Sequence, residues 1–538
     1  MNVPATTGRN LRCLPRLLLL GLAIGLPLLA GATVRRIGIR HGGPDLVWHP
    51  DVSKQLQVAK MHHGDGLDIR SLFRDDTELT LYPYGASIIA SLAIDAAEFF
   101  TGRDLQTSSV WQWAYRMRIV YSALFLSATA ALLLALSGRI GLVDTAMAGF
   151  LLVLEPLSAQ MSHYAMNDVP MTALLLLALM AAARIPSEPA RRPGWSALSG
   201  LLLGVAFGVK YQAAIGGVFV LAAWALAWPR KRANGTLLSA CVLGAAGLMG
   251  VVATSPMLVQ DPGYFVAKFP DFMSWQAHIT ATELPMAEKV FRNGRHLLAL
   301  FATNGAWIPI ALAGSAAVAA RGDRMDAGLR CIVIGGAGFA AVLFVALVFS
   351  RDYVRANDLI PALAIAAVLT GIGCAHTERR ALRLPLRALA LAGVVWFGAT
   401  SFLDSRALAR QDTRILARDW ATQHLPPGSV VRREQYTLPA DRHDVIDRQH
   451  RNFTEPDAQA VIREGSYDYL ITSSLAHDRI FDEYLPHLSK EGRAMYTWIS
   501  EHSDVVTEFR DRPLLHAQPT IVVYRKRAGE QASGRGVP

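Results

Sequence analysis

The sequence predicts a polytopic α-helical membrane protein that carries a soluble α/β domain after its last span. Of its 538 residues, 52% are hydrophobic and only 18% are charged. A soluble protein of this size would carry roughly 25% charged residues. Apolar runs of about 18 residues or more, each able to cross a bilayer, recur between residues 14 and 403. From residue 404 onward the composition becomes polar, and short apolar stretches alternate as they do in strands.

About eleven apolar segments are predicted to span the membrane. Arg9, Arg12 and Arg16 precede the first segment, which predicts a cytoplasmic N-terminus. Arg residues recur in the loops after every second span, as this orientation requires. Topology therefore explains the net charge of +10, and no nucleic-acid partner is expected. The predicted spans are 14–34, 117–137, 142–159, 170–185, 196–209, 212–228, 236–256, 297–320, 330–350, 359–375 and 386–403.

The first span has an alternative interpretation as a cleavable signal peptide, since Ala30-Gly31-Ala32 resembles a cleavage site. Segment 84–101 is too short and too acidic for a confident span, so it is predicted to be an interfacial helix within the outer loop 35–116. The predicted domains are a transmembrane catalytic domain, an extracytoplasmic α/β domain and a disordered tail, over residues 1–403, 404–527 and 528–538.

The C-terminal domain is predicted from alternating patterns and from helix-stop signals. Helices are expected at 407–424, 456–464 and 476–501, the first ended by Pro426-Pro427-Gly428. Strands are expected from Ser429 and over 467–471 and 520–524.

Two acidic residues beside predicted spans are candidates for chemistry. Asp51, in His49-Pro50-Asp51, follows the first span, where a carboxylate costs desolvation unless a charge partner or substrate compensates it. Asp168 lies in a short outer loop with His163. Helix capping is the alternative for both carboxylates, because Asp is a common N-cap and Pro170 suits an early helical position.

Cationic side chains at the outer ends of spans are candidates for binding a phosphate. Arg351 and Arg355 stand in a loop where topology disfavours Arg, and Arg forks match phosphate oxygens. Lys210 ends the fifth span and is a third candidate. The alternatives are pairing with Asp352 or Asp358, contact with lipid headgroups, and snorkelling.

Several motifs occur in an order that is typical of one superfamily. They are Trp48-His49-Pro50-Asp51, Tyr82-Pro83-Tyr84-Gly85, the stretch from His163 to Asp168, the stretch from Gly204 to Tyr211, Ser255-Pro256-Met257, and Asp261-Pro262-Gly263-Tyr264-Phe265. The series resembles the GT-C superfamily of membrane glycosyltransferases, which includes protein O-mannosyltransferases and the aminoarabinose transferases of lipid A. The resemblance covers the whole chain, including the soluble outer domain.

The resemblance implies a GT-C fold with about eleven transmembrane helices, and it implies roles for particular residues. Asp51 matches the essential acidic residue of the first outer loop, and Asp168 would assist it in catalysis. The residues implied in substrate binding are His49, Tyr82, His163, Lys210, Tyr211, Arg351, Tyr353 and Arg355. No cofactor is implied with certainty. Metal-binding relatives have an acidic pair where this chain has Asp168 alone, which leaves a divalent metal in doubt.

The function that follows is transfer of a monosaccharide from a polyprenyl-phosphate donor to an acceptor on the extracytoplasmic side, with inversion. The enzyme would be a hexosyl- or pentosyltransferase of the bacterial inner membrane, in contact with membrane lipids, and its acceptor could be a protein, a glycan or a lipid. The sequence has no Walker loop or dinucleotide fingerprint, so a nucleotide-sugar donor has no support. A lipid or glycan transporter (or flippase) and a non-catalytic scaffold are the alternatives.

Overall fold

The chain forms two compact units in a computed structural model. One unit comprises Met1–Ile39 and Val47–Ser405, and the other comprises Arg40–Leu46 and Arg406–Pro538. The structure describes residues 14–43, 55–60, 62, 81–102, 109–227, 233–277, 285–303, 309, 313–314, 316, 325–350, 354–377, 380–437, 442–476, 486–511 and 518–527. The predicted tail lies outside these residues, and the predicted domain limits stay predictions.

The first unit is helical. Its helices are α1 (Leu14–Arg36), α2 (Gly85–Thr101), α3 (Val110–Ile140), α4 (Leu142–Val153), α5 (Pro156–His163), α6 (Asp168–Ser187), α7 (Arg192–Val209), α8 (Gly217–Ala227), α9 (Ala233–Thr254), α10 (Pro256–Gln260), α11 (Pro262–Ala277), α12 (Met286–Thr303), α13 (Ala327–Ser350), α14 (Ile360–His376) and α15 (Arg380–Leu408). Short 3₁₀ turns occupy Pro189–Arg191, Tyr211–Gly216 and Ala356–Leu359.

Many of these helices match the thickness of a bilayer. Within the described ranges, seven helices are long and apolar enough to cross a membrane, and eight crossings result if one bent pair counts as a span. The chain is therefore a multi-pass membrane protein. The expected number of about eleven spans stays a prediction.

The third predicted span, 142–159, differs from the structure because it is broken. Helix α4 ends at Val153, and α5 begins at Pro156 with a bend of 46° between them. The Glu155 carboxylate caps α5 by accepting from the backbone N–H groups of Leu157 (3.0 Å) and Ser158 (2.6 Å). Pro156 has no N–H to continue the ladder of α4, so the Glu-Pro pair starts a new helix.

Helices α7 and α9 pack backbone against backbone through glycines. A Cβ placed on Gly204 would lie 2.0 Å from the carbonyl oxygen of Gly247, and one on Gly208 would lie 2.1 Å from Oγ1 of Thr254. Neither position has room for a side chain. Small residues permit this approach between membrane helices, and here the contact reaches the last turn of α7, next to Lys210.

Helix α2 corresponds to segment 84–101, which is predicted to be an interfacial helix. Its first half is buried in the unit, whereas Phe99 and Phe100 near its end are each 83% exposed. Glycine again allows a close contact, since a Cβ on Gly85 would lie 2.6 Å from the backbone of Gly208. The interfacial placement itself stays a prediction.

Charged pairs join several helix ends at one end of the unit. Asp144 near the start of α4 accepts two hydrogen bonds from Arg387, at 2.9 and 2.7 Å. Arg139 at the end of α3 lies 3.5 Å from Asp326, just before α13. Arg139 follows the second predicted span and Arg387 lies at the start of the last one, so the sequence predicts both on the same side of the membrane. Which side this is stays a prediction.

The second unit contains a five-stranded mixed sheet in the order β2-β1-β3-β5-β4. Its elements are α16 (Thr413–His424), β1 (Val430–Glu434), β2 (Ile446–His450), α17 (Pro456–Arg463), β3 (Tyr469–Ser473), α18 (Pro486–His502), β4 (Ser503–Phe509) and β5 (Ile521–Lys526). Strands β1, β2 and β3 are parallel, and β5 pairs antiparallel with β3 and β4. One apolar cluster joins α16 to the sheet, and another joins α17 and α18 to it. The predicted C-terminal α/β character is confirmed.

The sequence did not predict β2 and β4, which are the two edge strands. The residues of β2 are Ile-Asp-Arg-Gln-His, and none of their side chains is fully buried, so the strand carries no alternating apolar signal. Strand β4 directly follows α18 without an intervening turn residue.

Glu434 is a buried carboxylate that joins three elements of the second unit. It ends β1 and accepts hydrogen bonds from the backbone N–H groups of Phe453 (3.1 Å) and Ser473 (3.0 Å) and from the Tyr496 hydroxyl. Burial and, next, the charge of Glu434 raise the pKa of Tyr496 well above its usual value, so its hydroxyl stays a donor.

The second unit also includes a short segment from the N-terminal part of the chain. His41 is buried, with Nδ1 3.1 Å from the carbonyl oxygen of Leu408 and Nε2 3.3 Å from a carboxylate oxygen of Asp412. Asp412 in turn caps α16 and pairs with Arg414 at 2.8 Å. His41 is therefore part of the polar interior of this unit, to which the segment Arg40–Leu46 belongs.

Substituting alanine for Gly204 tests the close contact between α7 and α9. We expect Gly204→Ala to lower the free energy of unfolding by about 2 kcal/mol, because the added methyl group meets backbone atoms that cannot move aside. Gly194→Ala, on the same helix with open space around it, is the control and should be neutral or slightly stabilising. Thermal unfolding of each purified variant in detergent measures the two effects. An unfolding midpoint of Gly204→Ala equal to that of the wild type would contradict the close contact between α7 and α9.

Replacing Glu434 with glutamine tests the buried carboxylate. The amide of Glu434→Gln must point its NH₂ group at one of two backbone N–H donors, so we expect a loss of about 2 kcal/mol. Hydrogen exchange in β1 and β3 of the intact chain should become faster. Glu464→Gln, at an exposed position, should leave exchange unchanged. Wild-type exchange in Glu434→Gln would contradict the role of this carboxylate.

Candidate active site

The candidate site is built where three helix ends of the first unit meet. Asp168 opens α6, Lys210 follows α7, and Asp358 lies in the 3₁₀ turn before α14. The Lys210 ammonium lies 2.5 Å from Oδ1 of Asp168 and 3.0 Å from Oδ1 of Asp358. These three ends therefore lie on the same side of the unit, away from the Arg387–Asp144 pair.

The local structure explains why Lys210 reaches both carboxylates. Its backbone is extended (φ −160°, ψ 125°), so α7 stops and the side chain leaves the helix end. The glycine contacts of Gly208 and Gly85 hold this end of α7 close to α9 and α2. The side chain then places its ammonium between Asp168 at the start of α6 and Asp358 in the 3₁₀ turn.

Burial makes this cluster energetically demanding. The side chains of Asp168 and Asp358 are only 2% and 1% exposed, whereas that of Lys210 is 20% exposed. Removing a carboxylate from water costs several kcal/mol, which an ammonium at hydrogen-bond distance offsets. Asn357 adds a further hydrogen bond, with its amide nitrogen 2.9 Å from Oδ2 of Asp168.

Asp168 therefore does more than start a helix. Both of its carboxylate oxygens are engaged by side chains that are distant in sequence, which the capping alternative does not require. The preceding turn is tight: Ala165 has a φ of 55°, a left-handed value that is uncommon outside glycine. His163, a predicted substrate-binding residue, is buried at the end of α5 in the same turn region.

A second group of predicted residues lines a narrow crevice next to Lys210. The Tyr211 hydroxyl donates to the carbonyl oxygen of Leu81 at 2.6 Å, and the Asn167 amide donates to that of Pro83 at 3.3 Å. The crevice is lined by Leu81, Tyr82, Pro83, Tyr84, Tyr211, Ser255, Met257 and Phe265. The structure thus brings Tyr82 and Tyr211 together, two residues that the sequence assigned to substrate binding.

Other predicted residues are only partly covered by the structure. Arg355 is half-buried and immediately precedes the 3₁₀ turn that carries Asn357 and Asp358. His49, Asp51, Arg351 and Tyr353 lie outside the described residues. The proposed roles of all these residues stay predictions.

The sequence reasoning missed Asn357 as a site residue and treated Asp358 only as a possible partner of an Arg. A signal was present, because Asn-Asp occurs at 167–168 and again at 357–358, each time just before an apolar helix with an early Pro. If both helices begin on the same side of the membrane, this repeat predicts that the carboxylates of Asp168 and Asp358 lie close together.

Sequence and structure comparisons identify the class. The family model described as dolichyl-phosphate-mannose-protein mannosyltransferase matches residues 100–259, which include Asp168 and Lys210. No curated protein matches the chain in a sequence comparison. One solved structure, described in the next paragraph, shares the fold of the chain over nearly its whole length. The chain has the GT-C glycosyltransferase fold, and the resemblance found in its sequence is confirmed.

Among the solved structures, the chain is similar to ArnT from Cupriavidus metallidurans bound to undecaprenyl phosphate. The TM-score is 0.51 at 14% identity, covering 93% of this chain and 97% of that chain. The apo state of the same protein gives 0.48 at 16% identity with equal coverage. The Archaeoglobus fulgidus oligosaccharyltransferase in complex with Zn and sulfate gives 0.46 at 12% identity, covering 85% of this chain and 68% of that chain.

Removing Lys210 tests the charge cluster. Lys210→Met leaves two carboxylates buried without their shared cation, so we expect a loss of about 3 kcal/mol in unfolding free energy. Adding Asp358→Asn should recover part of the loss, because one carboxylate is then neutral. Lys268→Met is the control: it breaks an exposed pair with Asp271 (3.4 Å) and should change stability by less than about 0.5 kcal/mol. A Lys210→Met variant as stable as wild type in thermal unfolding would refute the cluster.

Proposed function

We propose that this chain is an integral membrane glycosyltransferase that moves a monosaccharide from a polyprenyl-phosphate donor to an acceptor. The observation that carries the proposal is the Asp168–Lys210–Asp358 cluster, buried at one end of a GT-C fold. A protein gains nothing in stability by burying two carboxylates and an ammonium that apolar residues could replace. Their presence next to an aromatic crevice supports a role in handling a polar substrate.

Asp51 is assigned the role of the catalytic base. An acceptor hydroxyl or amine must lose a proton as it attacks the anomeric carbon, and a carboxylate held nearby can accept that proton. The new glycosidic bond forms as the bond from the anomeric carbon to the phosphate oxygen breaks. Direct attack from the opposite face inverts the configuration at that carbon.

The leaving polyprenyl phosphate requires cationic partners. Arg355 and Arg351 are assigned to the phosphate, because guanidinium forks bind two of its oxygens at once. Lys210 is assigned to the donor as a hydrogen-bond donor, because its side chain is 20% exposed at the edge of the cluster while two carboxylates balance its charge. Its two carboxylate partners fix its position, so it acts as an oriented hydrogen-bond donor.

The cluster does not fit a divalent metal at Asp168. Its Oδ1 faces an ammonium and its Oδ2 faces an amide nitrogen, so donor groups already stand where a cation would bind. No step of the proposal uses a metal at this position. Lys210 supplies the positive charge there instead.

The proposed location is the inner membrane of a bacterium, with the N-terminus in the cytoplasm and the C-terminal unit on the periplasmic side. The distribution of Arg and Lys supports this orientation. Polyprenyl-phosphate sugars serve as donors on the side of the membrane that lacks nucleotide sugars. The proposed acceptor is a protein, a glycan or a lipid.

A transporter or flippase is not favoured. Such proteins place broken, charged helices near the middle of the membrane. The described part of the first unit has one broken helix with buried charge, at Glu155 between α4 and α5, but the charge cluster beside the crevice lies at helix ends. A scaffold function likewise gives no reason for a buried charge cluster beside a crevice.

Substituting Asp51 tests the proposed chemistry. We expect Asp51→Asn to reduce transfer by about 10²-fold or more, because an amide cannot accept the acceptor's proton. The measurement is the release of polyprenyl phosphate by purified protein that is supplied with polyprenyl-phosphate hexoses and pentoses together with a protein, glycan or lipid acceptor. Asp45→Asn, in the same loop, is the matched control and should retain wild-type turnover. Wild-type turnover in Asp51→Asn would remove the base assignment.

A further inference from the structure

Arg35 is a buried cation that no step of the proposed reaction uses. It lies in the last turn of α1 and is only 2% exposed. Its guanidinium stacks over the ring of Phe125 on α3, 4.8 Å from the ring centroid. Burying a guanidinium is costly, so its hydrogen bonds indicate what the position requires.

The guanidinium spans the break between α4 and α5. One terminal nitrogen donates to the carbonyl oxygen of Val153, the last residue of α4, at 2.6 Å. The other donates to the Ser158 hydroxyl at 2.8 Å, and Nε donates to that of Ser162 at 3.2 Å. Two of the three arms therefore hold α5, and the third holds the end of α4.

Nearby groups support this arrangement. Glu155, buried between the two helices, interacts electrostatically with Arg35 while its carboxylate caps α5. Gly31 allows α1 to approach α4 closely, since a Cβ there would lie 2.7 Å from Cβ of Val153. The α1 end, the α4 end and α5 are thus fixed to one another by one side chain.

Helix α5 leads directly to the candidate site. It ends at His163, and after a four-residue turn α6 begins at Asp168. A change in the position of α5 would move Asp168 relative to Lys210, which it meets at 2.5 Å. Helix α1, on the other side of the guanidinium, is followed in the chain by the outer loop that contains Asp51.

We infer that Arg35 is a positioning residue of the transferase. It sets the location of Asp168 by clamping α5 across the break in the helix. The inference rests on the proposed function. A lysine at this position keeps the charge but cannot hold three acceptors with one rigid fork.

The test compares Arg35→Lys with a variant that keeps the arginine. Ser158→Ala combined with Ser162→Ala removes both acceptors on α5 and leaves Arg35 and Val153 in place. The adjacent Arg36 is exposed, so Arg36→Lys is the matched control. Each purified variant is assayed well below its unfolding midpoint, and kcat and KM for the donor are expressed per folded molecule.

We expect both Arg35→Lys and the double serine variant to lower kcat by about tenfold or more, because Asp168, which is expected to assist Asp51, would be misplaced, and a small misplacement at a site slows chemistry strongly. KM for the donor should stay within about twofold, since Arg351 and Arg355 are untouched and Asp358 still holds Lys210. Arg36→Lys should match wild type. This split between kcat and KM would not arise from a merely less stable protein.

Two results would overturn the inference. One is kcat per folded molecule within about twofold of wild type in the double serine variant, whatever the folding yield of the Arg35 variants. The other is an equal loss in kcat for Arg36→Lys. A wild-type chain that transfers no sugar from any donor would instead count against the proposed function, so the two failures are distinguishable.

Discussion

One ammonium shared by two buried carboxylates is the constraint on which the first unit depends. Lys210 meets Asp168 and Asp358 only because α7 ends one residue before it and because glycines hold that end of α7 against its neighbours. The cluster joins the starts of α6 and α14 to the end of α7. Packing between membrane helices has no hydrophobic driving force of its own, so polar contacts and close backbone approach determine the arrangement.

The fold class followed from the sequence because its signals are local. Apolar run length, the placement of Arg and the change in composition after residue 403 each depend on neighbouring residues. The break between α4 and α5 escaped this reasoning, since Glu155-Pro156 lies inside a continuous apolar stretch. Strand β2 escaped it too, because pairing with β1, rather than its own polar residues, makes it a strand.

The candidate site was predictable only as separate residues. Asp168 and Lys210 could each be selected from motifs, but they are 42 residues apart, and Asn357 is 189 residues from Asp168. Contacts over such separations depend on helix packing, which no local pattern encodes. The repeated Asn-Asp at two helix starts is a sequence feature that could have linked Asp168 to Asn357 and Asp358.

The segment Arg40–Leu46 has a consequence for how this protein is built. Because His41 is packed against Leu408 and Asp412, the sheet-containing unit is not a continuous stretch of chain. A fragment starting at residue 406 would expose a cavity lined by a carbonyl and a carboxylate where an imidazole belongs. The unit is thus not a transferable module: a chimaera that exchanged it with a relative would have to exchange the strip around His41 as well.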